Sequence, residues 1–338
     1  MFILMIGPLP PPIGGATVLF EQLVKSLSDD GDVDIFVVNT GGARSPFRLV
    51  RILFKILMSL NKVDVVTFHA SLRGALYFMP FLSLACSLFG RPIVFRGFGG
   101  DYPDFYKRLG RFNKSIFKKY TLSSDIVFFE TKESVDYFSE FSRGKVMWYP
   151  NSRPISMRKI ASSSFRKACF ISQIKSDKGV CVLSDAINDS KMAGLEVDCF
   201  GPLLGDITED FFEKSPLTYK GVLAPSQVKE TLLDYDILIF PTYYSGEGYP
   251  GVILEAFSVG MPVITTDWRC IPEIVDDKCG VLIEPKNKSE LLSAIENIFY
   301  DSDAYINLQN GAREKGDVFD STRLAGQFST LCKSILKN

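Results

Sequence analysis

Short runs dominated by apolar residues alternate with helically spaced segments, and this alternation constrains the fold more than any other feature. “FILMIG”, “VDIFVVNT”, “VDVVTFHA”, “PIVFRGFGG” and “DIVFFE” read as buried strands. Between them lie stretches such as “ATVLFEQLVKSL”, whose apolar residues recur at helical spacing. The pattern predicts a parallel sheet with helices on both faces. It restarts after residue 165 with “KACFIS”, “LEVDCFG”, “DILIFPT”, “MPVITTD” and “GVLIEP”, without a visible sequence repeat. Between the two sets, “YPNSRPISMRKIASSS” (Tyr149–Ser164) is rich in Pro, Ser and basic residues and has no clear period, as a linker should be. We therefore expect an α/β chain with two doubly wound, Rossmann-like domains. They span residues 1–155 and 165–300, with helices over 301–338 that pack back towards the N-terminal domain. Two such domains leave a cleft between them, with ligands bound beyond the carboxyl ends of the strands.

Composition excludes several alternatives. The chain has 338 residues and is 46% apolar, enough for two buried cores. Residues 1–150 hold 18 Lys and Arg against 13 Asp and Glu, while the remainder holds 20 against 26. That polarity falls short of a nucleic-acid-binding signature. The seven cysteines are scattered without a CxxC, and His69 is the only histidine, which argues against a zinc site or a disulfide framework. “MFILMIG” lacks the basic start and long apolar core of a signal peptide, and no apolar run spans a bilayer. A cytoplasmic protein is the expectation.

Three loops after strands could hold a ligand. In “GPLPPPIGGATVLFEQL”, Gly14 and Gly15 allow backbone amides to approach an anion at a helix start, although a plain strand-to-helix turn reads the same way. In “ISQIKSDKGVCVLSDAI”, Lys178 and Gly179 stand where a helix should begin, so Lys178 is either a phosphate partner or a solvated loop lysine. The third loop holds “EGYPGVILE”, Glu247–Glu255, with an acid at each end of an apolar segment. Pro250 favours a helix start there or at Gly251, which leaves Glu247 in the loop, Glu255 in the helix, and the amides of Gly251 and Val252 at its open end. A buried carboxylate needs partners. The competing readings are a core ion pair and a ligand diol. A nucleotide sugar has a diol, a diphosphate and a sugar to match the two acids and the helix N-terminus.

Glu247-x7-Glu255, followed by “AFSVGMPVITTDWRCIPEIV”, resembles the signature of the family 4 retaining glycosyltransferases, bacterial surface-polysaccharide enzymes among them, which have the GT-B fold. “GPLPPPIGG”, “DKG” at 177–179, “YPNS” at 149–152, “FG” at 200–201 and “KGVL” at 220–223 resemble further family motifs in the right order. The resemblance implies transfer of a sugar from a nucleotide diphosphate-sugar to a glycan or lipid-linked acceptor, without a metal or other cofactor. It implies that Gly14 and Gly15 approach the donor phosphates and that Lys178 neutralises the departing diphosphate. Glu247 would contact the transferred sugar, the backbone of Gly248, Tyr249, Pro250, Gly251 and Val252 would bind sugar and phosphate, and Glu255 would hold the ribose. Two positions depart from the family pattern. Gln173 stands where an arginine is usual, after Ser172 in place of a glycine, and Arg96 in “FRGFGGD” stands where a histidine is frequent. Arg96 is a candidate to replace the missing charge, and Asp101 to orient or deprotonate the acceptor hydroxyl. His69 is a further candidate base, or a structural residue of its loop. A front-face retaining route suits a site with no separate nucleophile. The alternatives are a GT-B epimerase or phosphorylase, and a non-catalytic subunit that keeps the fold.

“RSPFRLVRILFKILMSLNK” carries Arg44, Arg48, Arg51, Lys55 and Lys62 with no acid, and “YKRLGRFNKSIFKKY” carries six further cations. Basic amphipathic helices of this kind can lie on an anionic bilayer. This predicts a peripheral protein on the cytoplasmic side of a membrane, with no nucleic acid among its partners.

Overall fold

The computed structural model describes residues 1–12, 14–41, 46–155, 157–160 and 162–336. Arg44 of the first basic run lies outside them. The chain divides into two compact units, residues 1–152 with 321–338, and residues 153–320.

In the first unit the order is β1 (Phe2–Gly7), α1 (Gly15–Asp30), β2 (Asp34–Asn39), α2 (Pro46–Ser59), β3 (Val65–Ala70), α3 (Leu72–Tyr77), α4 (Met79–Leu88), β4 (Ile93–Gly97), α5 (Tyr102–Arg108), α6 (Arg111–Ile116), β5 (Ile126–Phe129), α7 (Lys132–Ser139) and β6 (Lys145–Trp148). The six strands form a parallel sheet in the order β2-β1-β3-β4-β5-β6. Alternate residues feed two cores. Leu4, Ile6, Val66 and Phe68 pack on one side, while Ile3, Met5, Val65 and Val94 pack with α1 on the other. Neither face of the central strands is wet, so their sequences do not alternate.

The second unit holds β7 (Lys167–Ile171), α8 (Val180–Asn188), β8 (Glu196–Phe200), α9 (Glu209–Glu213), β9 (Thr218–Tyr219), α10 (Val228–Leu233), β10 (Ile237–Phe240), α11 (Gly251–Ser258), β11 (Val263–Thr266), β12 (Gly280–Ile283), α12 (Lys288–Tyr300) and α13 (Ser302–Val318). Its parallel sheet runs β12-β11-β10-β7-β8-β9.

The terminal helices, expected as one block returning to the first domain, divide between the units. Helix α13 packs on α11 and α12 in the second. The final helix, α14 (Ser321–Ser334), packs on α1 in the first. Leu324, Ala325, Phe328 and Cys332 of α14 share a core with Leu19, Phe20, Leu23 and Leu27 of α1. The Tyr149 hydroxyl donates to the Leu324 carbonyl at 3.1 Å. Among the described residues, no helix is long and apolar enough to cross a membrane.

Candidate functional site

Strand β7 lies beside β10 in parallel, with Cys169 level with Leu238. The loops that follow both strands therefore leave the sheet at the same end. The amide of Tyr243 donates to the Asp177 carbonyl at 2.8 Å and ties these loops together. Gly179 has φ +88°, and a Cβ there would lie 2.1 Å from the Pro241 carbonyl oxygen, so a glycine is required for the close approach. A tight turn over Ser176–Lys178 then presents Lys178 at the start of α8.

Lys178 and Glu247 meet there. Nζ is 2.6 Å from Glu247 Oε2, and both side chains are largely buried. The Thr242 hydroxyl donates to the same Oε2 at 3.0 Å. Lys178 also lies 4.5 Å from the Tyr244 ring centroid. The Glu247 loop is held from the far side by Trp268 Nε1, which donates to the Tyr244 carbonyl at 2.8 Å, and by Arg269 Nε, which donates to the Glu247 carbonyl at 3.1 Å. A carboxylate fixed beside an ammonium can accept hydroxyl protons, and the ammonium can meet an anion once that contact loosens.

Helix α11 starts at Gly251 after Pro250 in extended conformation, with Gly248 and Tyr249 before it. The amides of Gly251 and Val252 stand at its N-terminus. Tyr249 is buried, its hydroxyl donating to Glu273 Oε2 at 2.5 Å. One turn into the helix, Glu255 Oε1 accepts from Arg153 Nε at 2.9 Å. Arg153 is a functional candidate that the sequence did not reveal, because it sits in the linker, 102 residues from its partner. Gly251 makes room for this contact, since a Cβ there would lie 2.4 Å from Arg153 Nη2. Gln173 follows β7 and is exposed.

The remaining candidates are in the first unit. Gly14 caps α1, and its amide donates to Thr17 Oγ1 at 3.0 Å. A Cβ at Gly14 or Gly15 would meet nothing within 4 Å among the described residues, so the chain leaves open space at that helix start. Pairing of β3 with β4 sets His69 level with Arg96. Arg96 is only 2% exposed, and its guanidinium lies over the rings of Phe98 (5.0 Å) and Tyr149 (4.5 Å). Burial lowers its pKa, against an opposing pull from Tyr149 and the Glu130 carboxylate. Asp101 is exposed at the start of α5.

His69 is 1% exposed, and its ring packs against Phe20 (4.8 Å), Phe328 (5.8 Å) and Phe98 (6.3 Å). Nε2 is 3.0 Å from Thr67 Oγ1. Burial first, and then the Arg96 charge, hold its pKa well below 6.5. A ring so packed and so weakly basic fits a structural role better than a proton acceptor. Its neutral-form stabilisation is fully present above the unfolded pKa of about 6.5 and is lost as pH falls through the lower folded value. His69→Met should therefore show a shallower fall in melting temperature than the parent chain between about pH 6.5 and 5. Parallel slopes in the two proteins would contradict this.

Residues 166–301 match the family model described as Glycosyl transferases group 1. A relative in Bacillus subtilis, named as the teichuronic acid biosynthesis glycosyltransferase TuaC, is 33% identical over 138 residues, 38% of this chain and 32% of that protein. The colanic acid biosynthesis glycosyltransferase WcaL of Salmonella typhimurium is 27% identical over 180 residues, 49% of this chain and 44% of that protein. The matches thus span less than half the length of these curated relatives. Among solved structures, Anabaena HepE in complex with UDP superposes with a TM-score of 0.73 at 15% identity, covering 98% of this chain and 99% of that one. That likeness is one of fold. The chain has the GT-B fold, and its second unit matches the group 1 glycosyltransferases.

Proposed function

We propose that this protein is a retaining glycosyltransferase of the family 4 type. It would move a sugar from a nucleotide diphosphate-sugar to a glycan or lipid-linked acceptor in surface-polysaccharide synthesis. The observation that carries this reading is one convergence. Loops leaving two adjacent parallel strands bring an ammonium (Lys178) against a carboxylate (Glu247), just ahead of the N-terminus of α11, the helix that carries Glu255. The relatives named for teichuronic and colanic acid synthesis support the pathway class, and the UDP-bound fold relative supports the donor class.

In this reading Lys178 and the amides of Gly251 and Val252 balance the diphosphate as it departs, so the charge balance needs no metal. Glu247 and the backbone of Gly248, Tyr249 and Pro250 hold the sugar, Glu255 holds the ribose, and Gly14 and Gly15 leave room for phosphate. Gln173 adds a neutral contact. The leaving phosphate takes the acceptor proton on the same face, which retains configuration. Asp101, exposed on the first unit, orients the acceptor. Arg96 supports that side as a buried cation.

The exposed face of α2 supports a peripheral place on the cytoplasmic face of an anionic membrane, where a lipid-linked acceptor resides. Incubating the purified chain with UDP-, GDP- and ADP-sugars tests the assignment. We expect slow release of free sugar, with retained configuration, from one donor class. Donor binding without turnover would identify a non-catalytic subunit, and conversion to an epimeric nucleotide sugar would identify an epimerase.

A further inference from the structure

We propose that Arg153 is a second cationic ligand for the donor diphosphate, held in reserve by Glu255 when no donor is bound. The inference rests on the donor reading above and assigns a role to a residue outside it. Arg153 is the first residue of the second unit. Its Nε bonds Glu255 at 2.9 Å, and its Nη2 occupies the space beside the α11 entrance that a side chain on Gly251 would fill. Both acids of “EGYPGVILE” are thus capped by a cation, Glu247 by Lys178 and Glu255 by Arg153.

Two cations, Arg153 and Lys229, and two carboxylates, Glu255 and Asp320, share this neighbourhood. Lys229 Nζ donates to the Pro154 carbonyl. The Lys229 pKa is lowered, first by burial and also by Arg153, while Glu255 and Asp320 oppose the shift. Arg153 Nη2 lies beside the positive end of α11, where a positive charge is disfavoured. Asp320 is engaged by the Ile155 amide at 3.3 Å. An anionic ligand at that helix end offsets the guanidinium charge.

When a ribose diol takes the Glu255 carboxylate, it competes with Arg153 for the same oxygens. The released guanidinium already lies beside Gly251, where the helix amides would face a diphosphate. Its planar fork suits phosphate oxygens. Arg153 would then supply, from the linker, the positive charge that Gln173 does not.

Calorimetric titration with inorganic pyrophosphate, with UDP, GDP and ADP, and with the matching nucleosides tests this. Arg153→Gln should weaken pyrophosphate binding by about tenfold, and Arg153→Lys by less, while Arg153→Gln binds the nucleosides more tightly because nothing then competes with the diol for Glu255. Glu255→Gln should act in opposite directions, binding pyrophosphate more tightly and the nucleoside more weakly. A purely structural pair would weaken both in every variant. If Arg153→Gln folds poorly, Glu255→Gln carries the test. Pyrophosphate binding by Arg153→Gln equal to that of the parent overturns the inference alone, as does weaker pyrophosphate binding by Glu255→Gln. A parent chain that binds none of the three nucleoside diphosphates overturns the donor reading, and the inference with it.

Discussion

Replacing Lys178 by alanine should lower turnover of the nucleotide-sugar donor by about two to three orders of magnitude, the usual loss when one preorganised electrostatic contact to a developing charge is removed. The diphosphate gains negative charge as the glycosidic bond breaks. Lys178 is the ammonium that the fold brings to the loop ahead of α11, 2.6 Å from Glu247. The loss should fall mainly on kcat, because the charge it answers is largest in the transition state. Lys178→Arg should recover part of the rate, since the charge remains but the point geometry does not. Stability should drop by only about 1–3 kcal/mol. Glu247 keeps its bond from Thr242, so the carboxylate is not left bare. Glu247→Gln in the Lys178→Ala background should add less than it costs alone, because the two side chains form one contact. Steady-state rates of the parent, the Lys178→Ala and Glu247→Gln variants and the double variant decide this. Turnover by Lys178→Ala at the parent rate would remove Lys178 from the mechanism.

The residues behind that prediction were readable in the sequence for a physical reason. In a parallel sheet with helices on both faces, each strand is a short apolar run and each loop at its carboxyl end is a candidate site. Both loops, 172–179 and 241–250, could be placed without coordinates. The contact between Lys178 and Glu247 could not, because it depends on β7 lying beside β10, and strand order is not written in local sequence. Arg153 was hidden for a related reason. A linker has no period, and nothing near residue 153 indicates that its partner lies on a helix far along the chain. The burial of Arg96 was equally illegible. When both faces of β4 are covered, alternation no longer distinguishes a residue facing a ligand from one facing core. Helices α13 and α14 read alike as sequence, yet they pack in different units, a choice made by tertiary contacts alone.

Neutralising Arg48, Arg51, Lys55 and Lys62 together should weaken binding to anionic vesicles by about a thousandfold at low salt, at roughly 1 kcal/mol per cation. The structure sharpens this expectation by showing where α2 keeps its apolar residues. Ile52 and Ile56 face the core. Phe47, Val50, Phe54 and Met58 are between 60 and 80% exposed. At ~100° per residue these four fall within about 80° of one another, on the side opposite Ile52 and Ile56, with Arg48, Arg51 and Lys55 along one flank. A helix that serves only to cover a sheet has no use for such a stripe, whereas an interfacial helix needs one. The second basic run is different. Lys107, Lys114, Lys118 and Lys119 each lie 5.2–5.6 Å from an aromatic ring centroid, so part of its charge is engaged within the unit. The larger effect therefore belongs to α2. Phe47→Ser with Phe54→Ser should weaken binding as well, and that loss should persist at high salt, where the charge contribution is screened. Sedimentation with phosphatidylglycerol vesicles, against phosphatidylcholine as the neutral control, separates the two contributions. A parent chain that stays in the supernatant with anionic vesicles at low salt would rule out the membrane-facing role of α2.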